Sequence, residues 1–163
     1  MRHPRSNRTA AFAAAGVILS VLAVEGQKRA WNPATLYDAV EFRHVVTSDN
    51  VTNTVYISAQ LPFEAGTIEP GAPLQVQTRR VLANLDAALR AAGAAPDDVI
   101  RMHVYVTDYH PMKGVIVSRQ VRKFFADRMP ASTFIPVSAL PVEHAALQID
   151  ALAHVHAMPR STR

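Results

Sequence analysis

The stretch that most restricts how this chain can fold runs from Gln75 to Thr107. Val81, Leu82, Leu85, Ala88, Leu89 and Ala92 recur at helical spacing and form one apolar face. Gly93 follows directly and suits a left-handed helix terminus. Pro96-Asp97-Asp98 then makes a turn. Beyond it the pattern switches to strict alternation. Ile100, Met102, Val104 and Val106 point one way; Arg101, His103, Tyr105 and Thr107 point the other. A helix and a strand that are each apolar on one side imply a sheet with helices over one face and a more polar face left open.

The other segments fit around this pair. Residues 24–33 read as an N-terminal arm, and residues 35–46 as an irregular first strand. Residues 47–53 form a turn cluster that contains Asn50-Val51-Thr52, a glycosylation sequon in form and a turn asparagine by physics. Residues 54–58 form a second strand. Residues 59–73 carry three prolines and two glycines and read as a loop with one β-bridge near Thr67. Residues 112–127 form a second amphipathic helix, weakened by Gly114 and by Val115-Ile116-Val117. Met129-Pro130 ends it, since a residue before proline leaves the helical region. Ser132 to Val137 read as a strand, so a short loop delivers Ala131, Ser132 and Thr133 to the mouth of the sheet. Residues 146–156 form the last strand, with Gln148, Asp150, Leu152, His154 and His156 on one face. The expected order is β-β-α-β-α-β-β, an α+β fold with both helices on one side. A partly apolar face left uncovered favours burial against another subunit.

A chain of 163 residues suits one domain. It has no cysteine, which excludes disulfides, thiolate catalysis and cysteine-ligated zinc. Residues 1–23 have the form of an export signal: Arg2, Arg5 and Arg8, then an apolar run, then the small-residue end Val21-Leu22-Ala23. Its removal takes three of 17 basic residues and none of 13 acidic ones, leaving 14 against 13. The mature chain is nearly neutral, so no nucleic-acid partner is expected. The run is too short for a confident membrane span. The expected location is periplasmic or secreted, with a cytoplasmic location as the alternative. Residues 158–163 read as a tail.

Several stretches in order carry a resemblance to a known family. They are Tyr37, VYISAQLP at 55–62, the helix QTRRVLANLDAALRAAGA, DDVIRMHVYVTD at 97–108, Phe124-Phe125, PAST at 130–133 and ALPVEHAALQIDALA. Over about residues 34–155 the chain resembles the Rid proteins, also called the YjgF or reactive-intermediate deaminase family. The resemblance implies a chorismate-mutase-like fold and a homotrimer whose sheets close into a central β-barrel. It also implies a cleft at each subunit junction. There, enzymatic members hydrolyse small 2-imino acids to 2-oxo acids and ammonia. No cofactor and no resident metal are implied.

The family arginine of P-A-R-[ST] grips the substrate carboxylate, as a planar guanidinium does well. Here Ser132 stands in its place. Gln148 replaces the last-strand glutamate, Phe134 a smaller residue, and Ala59 the glycine of S-G-Q. Tyr37, Ser58, Gln60, Thr133 and Asp150 remain. By resemblance, Tyr37, Ser58, Ala59, Gln60, Ser132, Thr133 and Phe134 would contact ligand, and Gln148 and Asp150 would position water. Losing one partner of a buried charge-assisted pair costs roughly 2–5 kcal/mol. That is about two to four orders of magnitude in affinity. The usual activity is therefore expected to be weak or turned to another substrate. Arg101 or Arg43 offers a relocated cation, which would restore an imine deaminase. A structural trimer with its cleft filled by Phe134 is the third reading. His154-x-His156 could seed a metal site but lacks an evident third ligand. His103 beside Tyr105 reads as an interface pair or a ligand contact. Asp150 reads as a general base or a structural hydrogen-bond acceptor.

Overall fold

The computed structural model describes residues 28–156. Both the expected export segment and the tail lie outside these residues. A two-stranded ladder opens the described chain: β1 (Lys28–Trp31) pairs antiparallel with β2 (Val45–Ser48). Asn50, in the left-handed region at φ 53°, turns the chain into β3 (Val51–Gln60). Then follow α1 (Leu74–Ala91), β4 (Val99–Thr107), α2 (Pro111–Phe125), β5 (Ala131–Val137) and β6 (Leu147–His156).

The main sheet has the order β3-β6-β4-β5. β6 runs antiparallel to both β3 and β4, while β4 and β5 are parallel. Thus α1 joins one parallel pair, β3 and β4, and α2 joins the next, β4 and β5. The last strand is inserted between β3 and β4. Helices and sheet meet in one core. Val81, Leu82, Leu85 and Leu89 of α1, and Val117, Val121 and Phe125 of α2, lie over Met102, Val104, Leu147, Ile149, Ala151 and Ala153. This bears out an α+β fold with both helices on one side.

Two local readings need correction. Residues 35–44 are not a strand; turns and bends occupy them, and the strand starts at Val45. The partner of that strand comes from within the arm, where Lys28–Trp31 supplies β1. Neither segment alternates cleanly, so pairing between distant residues, not local pattern, makes the ladder. In β4, the core position expected of Ile100 belongs to Val99, which is fully buried. The register slips between Val99 and Arg101, so one extra residue is accommodated there.

The expected C-terminal glycine of α1 behaves as anticipated. Gly93 has φ 71°, its N–H donates to the Arg90 carbonyl, and the Ala94 N–H donates to the Leu89 carbonyl. Buried Gln77 ties two loops together. Its Nε2 donates to the Ala72 and His144 carbonyls at 3.0 and 3.2 Å, and its Oε1 accepts from Ala146 N–H at 2.9 Å. Asp98 accepts from the Ala95 N–H and closes the turn before β4.

Lys28 pins the first ladder to the domain. Its Nζ donates to the Val99 carbonyl at 2.5 Å and the Arg128 carbonyl at 3.1 Å. Burial lowers its pKa to about 8. A neutral amine still has two N–H groups for the two carbonyls. In the unfolded chain lysine titrates near 10.4. Between those values the unfolded state holds more protons, so this group adds stability as pH rises. The gap in unfolding midpoint between the wild type and Lys28→Met is expected to widen from pH 7.5 to about 9.5 in denaturant titrations. A gap that stays constant or narrows would show that this amine is not desolvated.

Candidate functional site

The pleat of the sheet sorts the candidate residues. In the parallel register, Ser132 lies beside Met102, Thr133 beside His103 and Phe134 beside Val104. Ser132 and Phe134 therefore face the helices, and Thr133 faces the open side. As expected of Ser132 to Val137, the three are consecutive strand residues, and the pleat puts them on alternate faces.

On the helix side, a recess of about 320 Å³ opens between α2 and the β5 edge. Phe42, Tyr109, Val115, Ser118, Ser132 and Phe134 are among its lining residues, and among the described residues Glu41 is the one charged group there. Phe134 forms a wall against Tyr109, ring centroids 5.4 Å apart, and leaves the recess open. Gly114 makes room for that wall. A Cβ built on it would meet the Tyr109 hydroxyl at 3.0 Å. This close approach explains a glycine inside a helix, which costs about 1 kcal/mol relative to alanine. Tyr37 stands nearby, edge-on to Phe42 at 6.2 Å and to His44 at 4.9 Å, and is largely exposed.

On the open side, a broader recess of about 480 Å³ is lined by Tyr56, Ser58, Ala59, Arg101, His103, Asp150 and Leu152. Ser58 and Ala59 occupy an irregularity where the register between β3 and β6 slips between Ile57 and Gln60. Gln60 Nε2 donates to the Ser58 carbonyl at 2.9 Å and braces it. Gln148 lies across from Tyr105 in the register, on the same face as Asp150.

Asp150 is the most constrained of these groups. Its Oδ1 accepts from His103 Nδ1 at 2.8 Å and from the His103 backbone N–H at 3.2 Å. Its Oδ2 accepts from the Tyr105 hydroxyl at 3.1 Å. A carboxylate offers about four lone-pair positions, so one stays available. Because a carboxylate only accepts, the His103 proton sits on Nδ1 and leaves a lone pair on Nε2. Burial, then the Asp150 hydrogen bond and charge, raise the Tyr105 phenol pKa. Tyr105 therefore stays a neutral donor.

The two alternative cations part company. Arg43 Nη1 donates to the Ala39 and Phe42 carbonyls at 3.2 Å, and Arg43 lines a separate groove with Asp127 and Met129. Arg101 lines the open recess beside Ser58 and Asp150. Among the described residues it makes no ion pair. His154 and His156 share the open face, but the Nδ1 of each is buried without a hydrogen-bond partner. Burial, then the neighbouring His156, lower the His154 pKa. Among the described residues, no group of three histidine, aspartate or glutamate side chains is placed to hold a metal ion. Nor is any described helix long and apolar enough to cross a membrane.

Residues 34–155 match the family described as Endoribonuclease L-PSP. The chain belongs to the Rid/YjgF family. It is similar to a protein of unknown function of the conserved Rid family, YyfB from Yersinia pestis. That similarity reaches 35% identity with a TM-score of 0.74, over 78% of this chain and 98% of that one. The YjgF gene product of E. coli matches at 27% identity and a TM-score of 0.53, over 63% and 80%. A RutC family protein of Pyrococcus abyssi is 30% identical over 64% of this chain and 80% of its own length. Membership supports a small-molecule-binding or imine-deaminase-type role at the level of the family.

What sequence reasoning missed on the open face is that Asp150 meets the His103 and Tyr105 pair. The signal was present as alternation in two strands; their register was not. Asp150→Asn is expected to lower the Tyr105 phenol pKa while leaving it above the ordinary value, because burial remains. An ultraviolet phenolate titration, referenced to Tyr105→Phe, reads this directly. An unchanged titration would mean the hydrogen bond is not made.

Proposed function

We propose that this Rid-family chain assembles as a homotrimer and binds a small organic acid in a cleft between subunits. Any hydrolysis there does not use the family's arginine–glutamate pair. The observation that carries the reading is the split of the candidate residues. Ser132 and Phe134 line the helix-side recess, with Tyr37 packed on Phe42 at its edge; Ser58, Ala59, Thr133, Gln148 and Asp150 belong to the open face. A sheet lies between them. One copy cannot join the two sets, whereas the edge of one copy set against the open face of the next can. The open face also exposes Tyr56 (82%) beside Leu152, apolar surface suited to burial by a second copy. Ligand exchange at such a junction needs no cofactor.

A second reading, an imine deaminase with a relocated cation, is favoured by one observation. Arg101 lines the same recess as Ser58 and Asp150, whereas Ser132 shares its recess with Glu41, which disfavours an acid. The proposed location is outside the cytoplasm, on the pattern of residues 1–23.

Light scattering coupled to size exclusion is expected to give three times the chain mass. Tyr56→Glu, a charge placed on the joining face, is expected to give monomers with unchanged circular dichroism. A monomeric wild type would overturn the assembly. For the ligand, 2-oxobutanoate is expected to bind by calorimetry and to lose about 10- to 100-fold in affinity in Arg101→Met, as for a hydrogen bond to a charged group. Equal affinity in both would remove Arg101 from the site.

A further inference from the structure

We infer that His103, held by Asp150, is a general base that activates water in the open-face recess for hydrolysis of a 2-imino acid. The inference rests on the relocated-cation reading above and supplies the water-activating group that Gln148 cannot.

The geometry comes first. His103 and Asp150 sit on adjacent antiparallel strands and are direct register partners. The 2.8 Å bond from Nδ1 to Oδ1 fixes both the ring's orientation and its tautomer. The second oxygen is held by the Tyr105 hydroxyl, and the first also by the His103 N–H. Asp150 is thus anchored from two residues of the facing strand and cannot swing away without losing three bonds. An imidazole oriented by a carboxylate, with its other nitrogen carrying a lone pair, has the layout of a base and its orienting group. Both side chains are partly exposed, about a quarter each, and both line a recess large enough for a small acid.

The neighbours complete the chemistry. Arg101 is two residues from His103, on the same face of β4. It offers a guanidinium for the substrate carboxylate. Ser58 lies across the recess. In the forward step, the oxygen of a water bonds to the carbon of the protonated imine. The C=N electron pair moves to nitrogen, and the water's proton passes to His103 Nε2. The imidazolium then returns that proton to the amine nitrogen. The C–N bond breaks as the hydroxyl oxygen forms C=O, and ammonia leaves. The proton on the new carbonyl passes to Nε2 and out to solvent. One iminium ion and one water give one 2-oxo acid, one ammonia and one proton.

The titratable and charged groups around the imidazole are Arg101 and Tyr105 on its own strand and Asp150 on β6; the facing residues of β3 and β5, Tyr56, Ser58 and Thr133, add a phenol and two hydroxyls.

The test is steady-state hydrolysis of 2-iminobutanoate by the full chain, corrected for solvent hydrolysis. The wild type is expected to turn over well above background. His103→Gln is expected to lose about 10²–10⁴-fold in kcat, the usual worth of a general base, with KM changed little. His103→Gly is expected to regain activity when free imidazole is added, which a merely structural histidine would not allow. Asp150→Asn should lower kcat; Arg101→Met should act on KM. Three results overturn the inference: no wild-type turnover, an intact kcat in His103→Gln, or no rescue by imidazole in a folded His103→Gly. Trimer mass and 2-oxobutanoate binding are read separately, so loss of turnover with both retained refutes the base and leaves the binding cleft standing.

Discussion

The two-residue repeat of the β-strand governs this molecule. In β6, Leu147, Ile149, Ala151 and Ala153 enter the core under the helices, while Gln148, Asp150 and Leu152 face the other way. Because β6 sits in the middle of the sheet, its register with β3 and β4 sets which polar groups meet. A slip of one residue would bury Asp150 and expose the core. The same rule separates Ser132 from Thr133, neighbours in sequence that the sheet holds on opposite sides.

This separation gives the two recesses different chemistry. The helix-side recess is apolar and aromatic, with Glu41 as its charged lining residue. It is poorly suited to an acid, since an unpaired carboxylate repels another. The open recess carries Arg101, His103 and Asp150, and Asp150 there is paired with His103 and Tyr105. Ser132 lines the apolar recess, while the Arg101 guanidinium lies one strand over, on the opposite face of the sheet. The stability of the arrangement comes from the core beneath it, so side chains on the open face are available for binding without being needed for packing.

Much of the architecture was legible in advance. The apolar stripe of α1 from Val81 to Leu89, its glycine terminus and the alternation of β4 are local patterns, set by geometry within a few residues. They hold in the structure almost to the residue. The first ladder was not legible, because Lys28–Trp31 and Val45–Ser48 form strands only by pairing with each other. The displacement of Ile100 by Val99 was hidden for a related reason. A strand irregularity is defined against its partner, and the partner here is β6, some fifty residues later.

By itself the sequence determined the two helices and the strands of the main sheet, the family, the absence of the arginine at Ser132 and of the glutamate at Gln148. These are properties of single positions and short repeats, and they need no partner to be read. Only the tertiary structure decided that His103 meets Asp150, that Arg101 rather than Arg43 stands beside them, and that Ser132 and Thr133 part. The reason is that a side chain's neighbour across a sheet is chosen by long-range pairing and register. Closing those contacts over 47 residues leaves no mark in the spacing of either strand alone.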